Sequence, residues 1–111
     1  MNRLDAPGGE VPAEALTDLV ALGRRLAAQS AETNFRTLTA QPGWTVEQIE
    51  ASTEVAVARM DVGARDLLAA QGADPGGENW QAIWTAMEMG YREATADLLR
   101  AAGHRVRETL Q

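Results

Sequence analysis

Residues 45–72 constrain the fold more than any other part of the chain, because a helix formed there is apolar on two sides. At about 100° per residue, one broad arc collects small and apolar residues: Ile49, Ala56, Val57, Met60, Gly63, Ala64 and Leu67. Almost opposite lies a second group, here called the valine stripe, which consists of Val55, Val62, Ala51, Ala58 and Ala69. A helix with two apolar sides needs partners on both, as the middle of a bundle or as part of an oligomer interface.

The composition favours helices and argues against several classes of partner. Of the 111 residues, 21 are Ala, while Phe and Tyr occur once each, and this composition is typical of helical proteins. Ten basic residues, all of them Arg, stand against sixteen acidic ones and give a net charge of −6. An acidic chain of this kind is not expected to bind nucleic acid.

The same composition bears on where the chain resides. There is no cysteine, so no disulfide, thiolate metal site or Cys nucleophile is possible. Residues 1–12 lack the apolar core of a signal peptide, and no apolar run in the sequence has the length of a membrane span. We therefore expect a soluble, cytoplasmic protein.

Turns that contain Pro and Gly divide the chain into a lead-in and three helical segments. Residues 1–11 are predicted to be a flexible lead-in, and residues 12–111 a single helical domain. The helices are expected from residue 12 to about residue 40, over residues 45–72, and from residue 78 or 79 to about residue 109. Short connections favour antiparallel neighbours, so we predict an all-α, up-down-up antiparallel three-helix bundle of long helices, completed by oligomerisation.

The start of the second helix carries the best local signal in the chain. Thr45 and Gln48 have the spacing of a capping box, and Trp44 with Ile49 has that of a hydrophobic staple. This staple explains Trp44 better than a role as an exposed recognition residue. Two surface i,i+4 ion pairs are also predicted, Glu32 with Arg36 and Glu88 with Arg92.

In the predicted bundle, bulky residues of the third helix meet small ones of the second. Trp84 and Met87 are expected opposite residues 63–67, and Tyr91 opposite Met60. Helices lined by Ala and Gly pack closely but bury little apolar area each. At about 25 cal/mol per Å², the isolated chain should be only modestly stable, and an added interface would contribute to its stability.

No pattern of residues that supports catalysis is found, so we predict a non-enzymatic protein without a metal or cofactor. A di-iron bundle needs paired Glu-x-x-His segments, but the one histidine is His104 and Ala101 precedes it by three residues. A Ser-His-acid arrangement would have to use the same His104. Gly76 and Gly77 follow a helix and lack the Lys and hydroxyl residue of a phosphate loop.

Three other constellations have a structural and a functional interpretation. The row Trp80, Trp84, Met87 and Tyr91, here called the aromatic face, is either core or a face for an apolar ligand, and core is favoured. A polar layer of Ser30, Asn34 and Thr37 opposite Ser52 and Thr53 either fixes the register of the helices or binds a polar ligand, and register is favoured. The basic group Arg100, His104, Arg105 and Arg107 either grips a phosphate or acidic partner or complements the helix dipole, and the dipole is favoured.

These patterns predict a helical protein-interaction or assembly module that self-associates or binds a partner protein. The candidate interface is the valine stripe, because Val55 and Val62 are seven residues apart and Ala beside them lets another backbone approach. The alternative is a coat or carrier protein. The Ala-rich amphipathic helices of this chain resemble those of the phasins, which coat polyester storage granules and oligomerise. That resemblance implies that the amphipathic helices bind an apolar ligand or a granule surface, through the aromatic face.

Overall fold

The computed structural model describes residues 13–72 and 79–103, which form four helices. They are α1 (Ala13–Thr39), α2 (Val46–Ala58), α3 (Met60–Ala70) and α4 (Asn79–Ala101). Of the described residues 87% are helical and none lies in a strand, which confirms the all-α class. The predicted lead-in, residues 1–11, lies outside the described residues, as do His104, Arg105 and Arg107 of the basic group.

The turn between α1 and α2 confirms the predicted capping box. Thr45 has extended backbone angles, and its hydroxyl accepts a hydrogen bond from the Gln48 amide at 3.2 Å. In return, the Thr45 amide donates to the Gln48 side-chain oxygen at 2.9 Å. The ring of Trp44 lies edge-on to Phe35 in α1, with ring centroids 6.1 Å apart. The local sequence thus fixes where α2 begins, and two aromatic rings hold the turn against α1.

The predicted single helix over residues 45–72 is wrong, because the helix is interrupted at Arg59. This residue has φ −95° and ψ −2° and separates α2 from α3. No Pro or Gly lies at positions 56–60 to signal the break. Carbonyl groups in the last turn of a helix need partners from outside it. Trp84 of α4 supplies one of them, since its indole nitrogen donates to the carbonyl oxygen of Val57 at 3.2 Å. The interruption therefore coincides with a hydrogen bond from another helix.

The third predicted helix is also too long. It ends at Ala101 instead of near residue 109. Gly103 has φ +86°, in the left-handed region that glycine adopts easily, and its amide donates to the carbonyl oxygen of Arg100 at 2.9 Å. Arg100 in the last turn suits the negative end of the helix dipole. The residues at the end of the helix therefore carry a stop signal that apolar periodicity alone overlooks.

The most extensive helix–helix interface joins α1 to α4. The two backbones come so close that a Cβ added at Gly90 would lie 2.5 Å from the carbonyl oxygen of Arg24. On the α1 side, a Cβ at Gly23 would meet Met87 and Ile83 at 3.0 and 3.1 Å. Small residues on both helices thus make the contact possible. The core is organised around this pair of helices and not around residues 45–72.

The α2 and α3 helices complete the core by packing against the α1–α4 pair. Of the arc predicted to face inward, Ile49, Val57, Met60 and Ala64 are buried, while Leu67 is only partly buried and its neighbour Leu68, which was not predicted, is fully buried. The predicted placement of Met87 opposite residues 63–67 is confirmed, because a Cβ at Gly63 would lie 3.1 Å from the end of the Met87 side chain. α1, α4 and the α2–α3 segment therefore form three packed layers of helix.

Candidate functional site

The valine stripe lies on the surface of the described structure. Val55 is 53% exposed and Val62 is 60% exposed. Ala51, Ala58 and Ala69 are exposed as well. Among the described residues, the large exposed hydrophobics are these two valines, Leu26 and Met89. Two of these four exposed hydrophobic residues therefore belong to the stripe, and the other members of the stripe are alanines.

The fold turns the stripe outward because the opposite side of α2 and α3 is committed to the core. Thr53 and Ala64 are buried there, and they lie about half a helical turn away from Val55 and Val62. The interruption at Arg59 falls between Val55 and Val62, but both valines stay exposed. The stripe is thus the exposed side of α2 and α3, whose inner side packs against the core.

One edge of the stripe is tied to α4 by charged side chains. Arg92 donates to both carboxylate oxygens of Glu54, at 2.7 and 3.1 Å, and to Glu88 of its own helix at 3.0 Å. The last contact confirms the predicted Glu88–Arg92 pair. The Arg92 hydrogen bond holds the pKa of Glu54 below its ordinary value, and the carboxylates raise the pKa of Arg92. This edge is therefore fixed in place next to the stripe.

The other edge carries opposite charges that are not used within the described structure. Arg59 and Asp66 are both exposed. Neither makes an ion pair with another residue in the ranges 13–72 and 79–103. In contrast, Arg36 binds Glu32 at 2.6 Å, as predicted, and Arg24 binds Glu93. The stripe is thus bordered by a positive and a negative charge that are not paired among the described residues.

The aromatic face lies largely inside the protein. Met87 is 8% exposed and Tyr91 is 2% exposed, while Trp80 and Trp84 are partly buried against the core. The two Trp rings meet edge-on with centroids 6.5 Å apart, and the guanidinium of Arg65 lies 4.3 Å from the centre of the Trp80 ring. These contacts occupy most of the face. Binding of an apolar ligand there stays a prediction.

Part of the aromatic face borders an open groove of about 240 Å³ between α1, the α2–α3 junction and α4. Its lining comprises Leu26, Ala27, Ser30, Asn34, Ala56, Arg59, Met60, Met87 and Tyr91. Tyr91 and Met60, which were predicted to be opposite each other, thus line the same groove. The groove is shallow and mixed in polarity, so its shape alone identifies no ligand.

The predicted polar layer forms different hydrogen bonds from those expected. Asn34 donates to the hydroxyl oxygen of Tyr91 in α4 at 2.8 Å. Thr37 and Thr53 instead donate to carbonyl oxygens of their own helices, at 3.0 and 2.9 Å. Sequence spacing did not indicate the Asn34–Tyr91 bond, because the layer was placed between α1 and α2 while the closest neighbour of α1 is α4.

In the part of the chain that the structure describes, no three His, Cys, Asp or Glu side chains are grouped so that they could hold a metal ion. Arg100, the described member of the basic group, binds Asp97 at 3.2 Å. None of the helices in the described ranges is long and apolar enough to cross a membrane.

Comparisons with protein families, with curated proteins and with solved structures find no match to this chain.

Proposed function

We propose that this protein is a non-enzymatic helical interaction or assembly module that docks another protein chain on the valine stripe. The observation that carries the proposal is the exposure of Val55 and Val62, 53% and 60%, on helices whose opposite side is buried. The proposal includes an up-down-up order of the three layers, completion of the bundle by association, and a cytoplasmic location.

The energetics of the stripe support a docking role. A single exposed apolar residue is ordinary on a protein surface. Here two valines lie seven residues apart, which is the repeat of an interhelical seam, and three alanines surround them. Covering both valines would contribute on the order of 1 kcal/mol for each side chain. The alanines add little area themselves, but they allow a second backbone to come close.

The attachment of α2 and α3 supports the same role. Each of these helices has a smaller interface with α1 than α4 has. Their inner side packs against the core, so a partner chain on the stripe would cover part of their exposed side. A segment that packs against the core on one side and is apolar on the other is stabilised when a partner covers its apolar side.

Sedimentation velocity at micromolar concentration, combined with immobilised protein as bait in a native extract, tests the proposal. We expect wild type to associate with itself or to retain a partner, and Val55→Glu/Val62→Glu to abolish this behaviour. Met89→Glu is the matched control, because Met89 is 45% exposed on α4. If wild type neither associates nor retains a partner, or if the double variant behaves as wild type, the proposal is wrong.

The alternative function, a phasin-like coat or carrier, has less support from the contacts of the aromatic face. Binding an apolar surface there would require Met87 and Tyr91 to leave the core. Tryptophan emission distinguishes the two functions: we expect no shift when alkane droplets or polyester granules are added. A shift that Trp84→Phe removes would favour the coat.

A further inference from the structure

We propose that the chain that docks on the valine stripe is a second copy of this chain, antiparallel to the first, with a two-fold axis at Val62. This inference rests on the proposed function, since it names the partner of the same surface. It is carried by the order of apolar and charged residues along the exposed side of α2 and α3.

The charged residues at the free edge follow the valines at one helical spacing. Arg59 lies four residues after Val55, and Asp66 lies four residues after Val62. Val62 and Asp66 are neighbours on one face of α3, and Arg59 lies at the α2–α3 junction, one residue beyond the end of α2. Both charges are exposed and lack an ion pair within residues 13–72 and 79–103. Each copy therefore offers one free cation and one free anion at the same edge.

An antiparallel pair centred on Val62 brings these charges together. Arg59 is three residues before Val62 and Asp66 is four residues after it. Arg59 of one copy then lies within one residue, about 1.5 Å along the axis, of the level of Asp66 in the other. Two-fold symmetry repeats the contact, so a single complementary pair of residues yields two ion pairs.

The apolar residues fit the same alignment. Val62 meets Val62 of the second copy at the axis. Val55 is seven residues before this point and Ala69 is seven residues after it, so each Val55 faces an Ala69. A large side chain opposite a small one allows close packing at both ends of the contact.

A parallel alignment would not pair these charges with each other. A parallel two-fold places the edge that carries Arg59 and Asp66 in one copy across from the Glu54 edge of the other, so Arg59 would not meet Asp66. The antiparallel arrangement is also sterically open, because Val57, Ala64 and Leu68 hold α1 and α4 on the opposite side of the segment. The second copy therefore meets only the exposed surface.

Single cysteine variants test the alignment directly, since the chain has no cysteine of its own. Under mild oxidation, Val62→Cys should form a disulfide-linked dimer, because the two side chains meet at the axis. Val55→Cys should not, because the two copies of residue 55 would lie at opposite ends of the contact, beyond the reach of a disulfide. Cross-linking of both variants would show a parallel pair, and cross-linking of neither would exclude an axis at Val62. Either result overturns the inference.

Charge reversal provides the second test. Arg59→Asp and Asp66→Arg should each weaken dimerisation about tenfold in sedimentation equilibrium, because each turns two attractive contacts into two repulsive ones. The double variant Arg59→Asp/Asp66→Arg should regain wild-type dimerisation. If it stays as weak as either single variant, the inference is overturned.

The two proposals fail in different ways. A wild type that stays monomeric but retains a different protein through Val55 and Val62 leaves the docking function standing and overturns the second copy as partner. A wild type that stays monomeric and retains nothing overturns both. Circular dichroism of each variant confirms that a loss of association is not a loss of helix.

Discussion

The α1–α4 interface and the attachment of α2 and α3 are built on different principles. The first depends on atoms that are missing, since the absence of a side chain at Gly90 lets the backbone of α4 reach that of α1. The second depends on side chains that reach across, such as Trp84 to Val57 and Arg92 to Glu54. Close backbone contact tolerates almost no added volume, whereas side-chain bridges can be lost one at a time. The α1–α4 interface and the attachment of α2 and α3 should therefore respond differently to mutation.

Replacing Gly90 with Ala should have the largest effect. The new Cβ would lie 2.5 Å from a backbone oxygen of α1, so one of the two helices would have to shift. We expect the free energy of unfolding to fall by about 2 kcal/mol or more, despite the better helix propensity of Ala.

Gly63→Ala is the matched control for Gly90→Ala. Its added Cβ would meet only the flexible end of Met87, at 3.1 Å. The gain in helix propensity, roughly 0.5–1 kcal/mol, should offset the small displacement. Urea denaturation of both variants checks the contrast. Equal losses of stability would show that the α1–α4 contact is not the tighter one.

Trp84→Phe should have the next largest effect, because it removes the hydrogen bond to the Val57 carbonyl group at the α2–α3 break. We expect a loss of about 1–2 kcal/mol in the free energy of unfolding. Trp80→Phe is the control, because Trp80 contacts the guanidinium of Arg65 and should cost less. If Trp84→Phe costs no more than Trp80→Phe, the indole hydrogen bond does not stabilise the interrupted helix.

Thr45→Ala should cost about 1 kcal/mol, because the side chain caps α2. Thr37→Ala removes only an exposed hydroxyl that donates to a carbonyl oxygen of the same helix. The free energy of unfolding of this variant should therefore stay within about 0.5 kcal/mol of the wild-type value. Thermal denaturation of the two variants makes the comparison. An unchanged midpoint for Thr45→Ala would mean that the turn holds α2 without its cap.

The smallest effect concerns the Glu54–Arg92 pair. Because the folded-state pKa of Glu54 is lowered, the pair stabilises the fold above the ordinary carboxyl pKa, and this contribution is lost as pH falls through the lowered value. Glu54 is 67% exposed, so solvent screening limits the effect to about 0.5 kcal/mol. Glu54→Gln should reduce stability at pH 7 but not at pH 2. An equal loss at both pH values would exclude the ion pair as its cause.

The parts of the fold that the sequence predicted correctly depend on neighbours in the chain. The Thr45–Gln48 capping box and the Glu32–Arg36 pair involve residues three or four apart, so spacing alone identifies them. The valine stripe was predicted to lie outside because helical periodicity separates it from the buried arc. What could not be predicted depends on contacts between helices. The break at Arg59 has no Pro or Gly, and the close approach at Gly90 is seen only once α1 is next to α4.

Hydrogen–deuterium exchange of the wild-type protein at several concentrations tests most directly whether a second copy of the chain docks on the valine stripe. Amides of a helix exchange through local opening, which a partner on that helix suppresses. If a second copy covers the stripe, exchange of α2 and α3 should slow as concentration rises from about 1 to 100 μM, while exchange of α1 and α4 should not change. Exchange that is independent of concentration throughout, or that slows on α1 and α4 instead, would contradict this assignment.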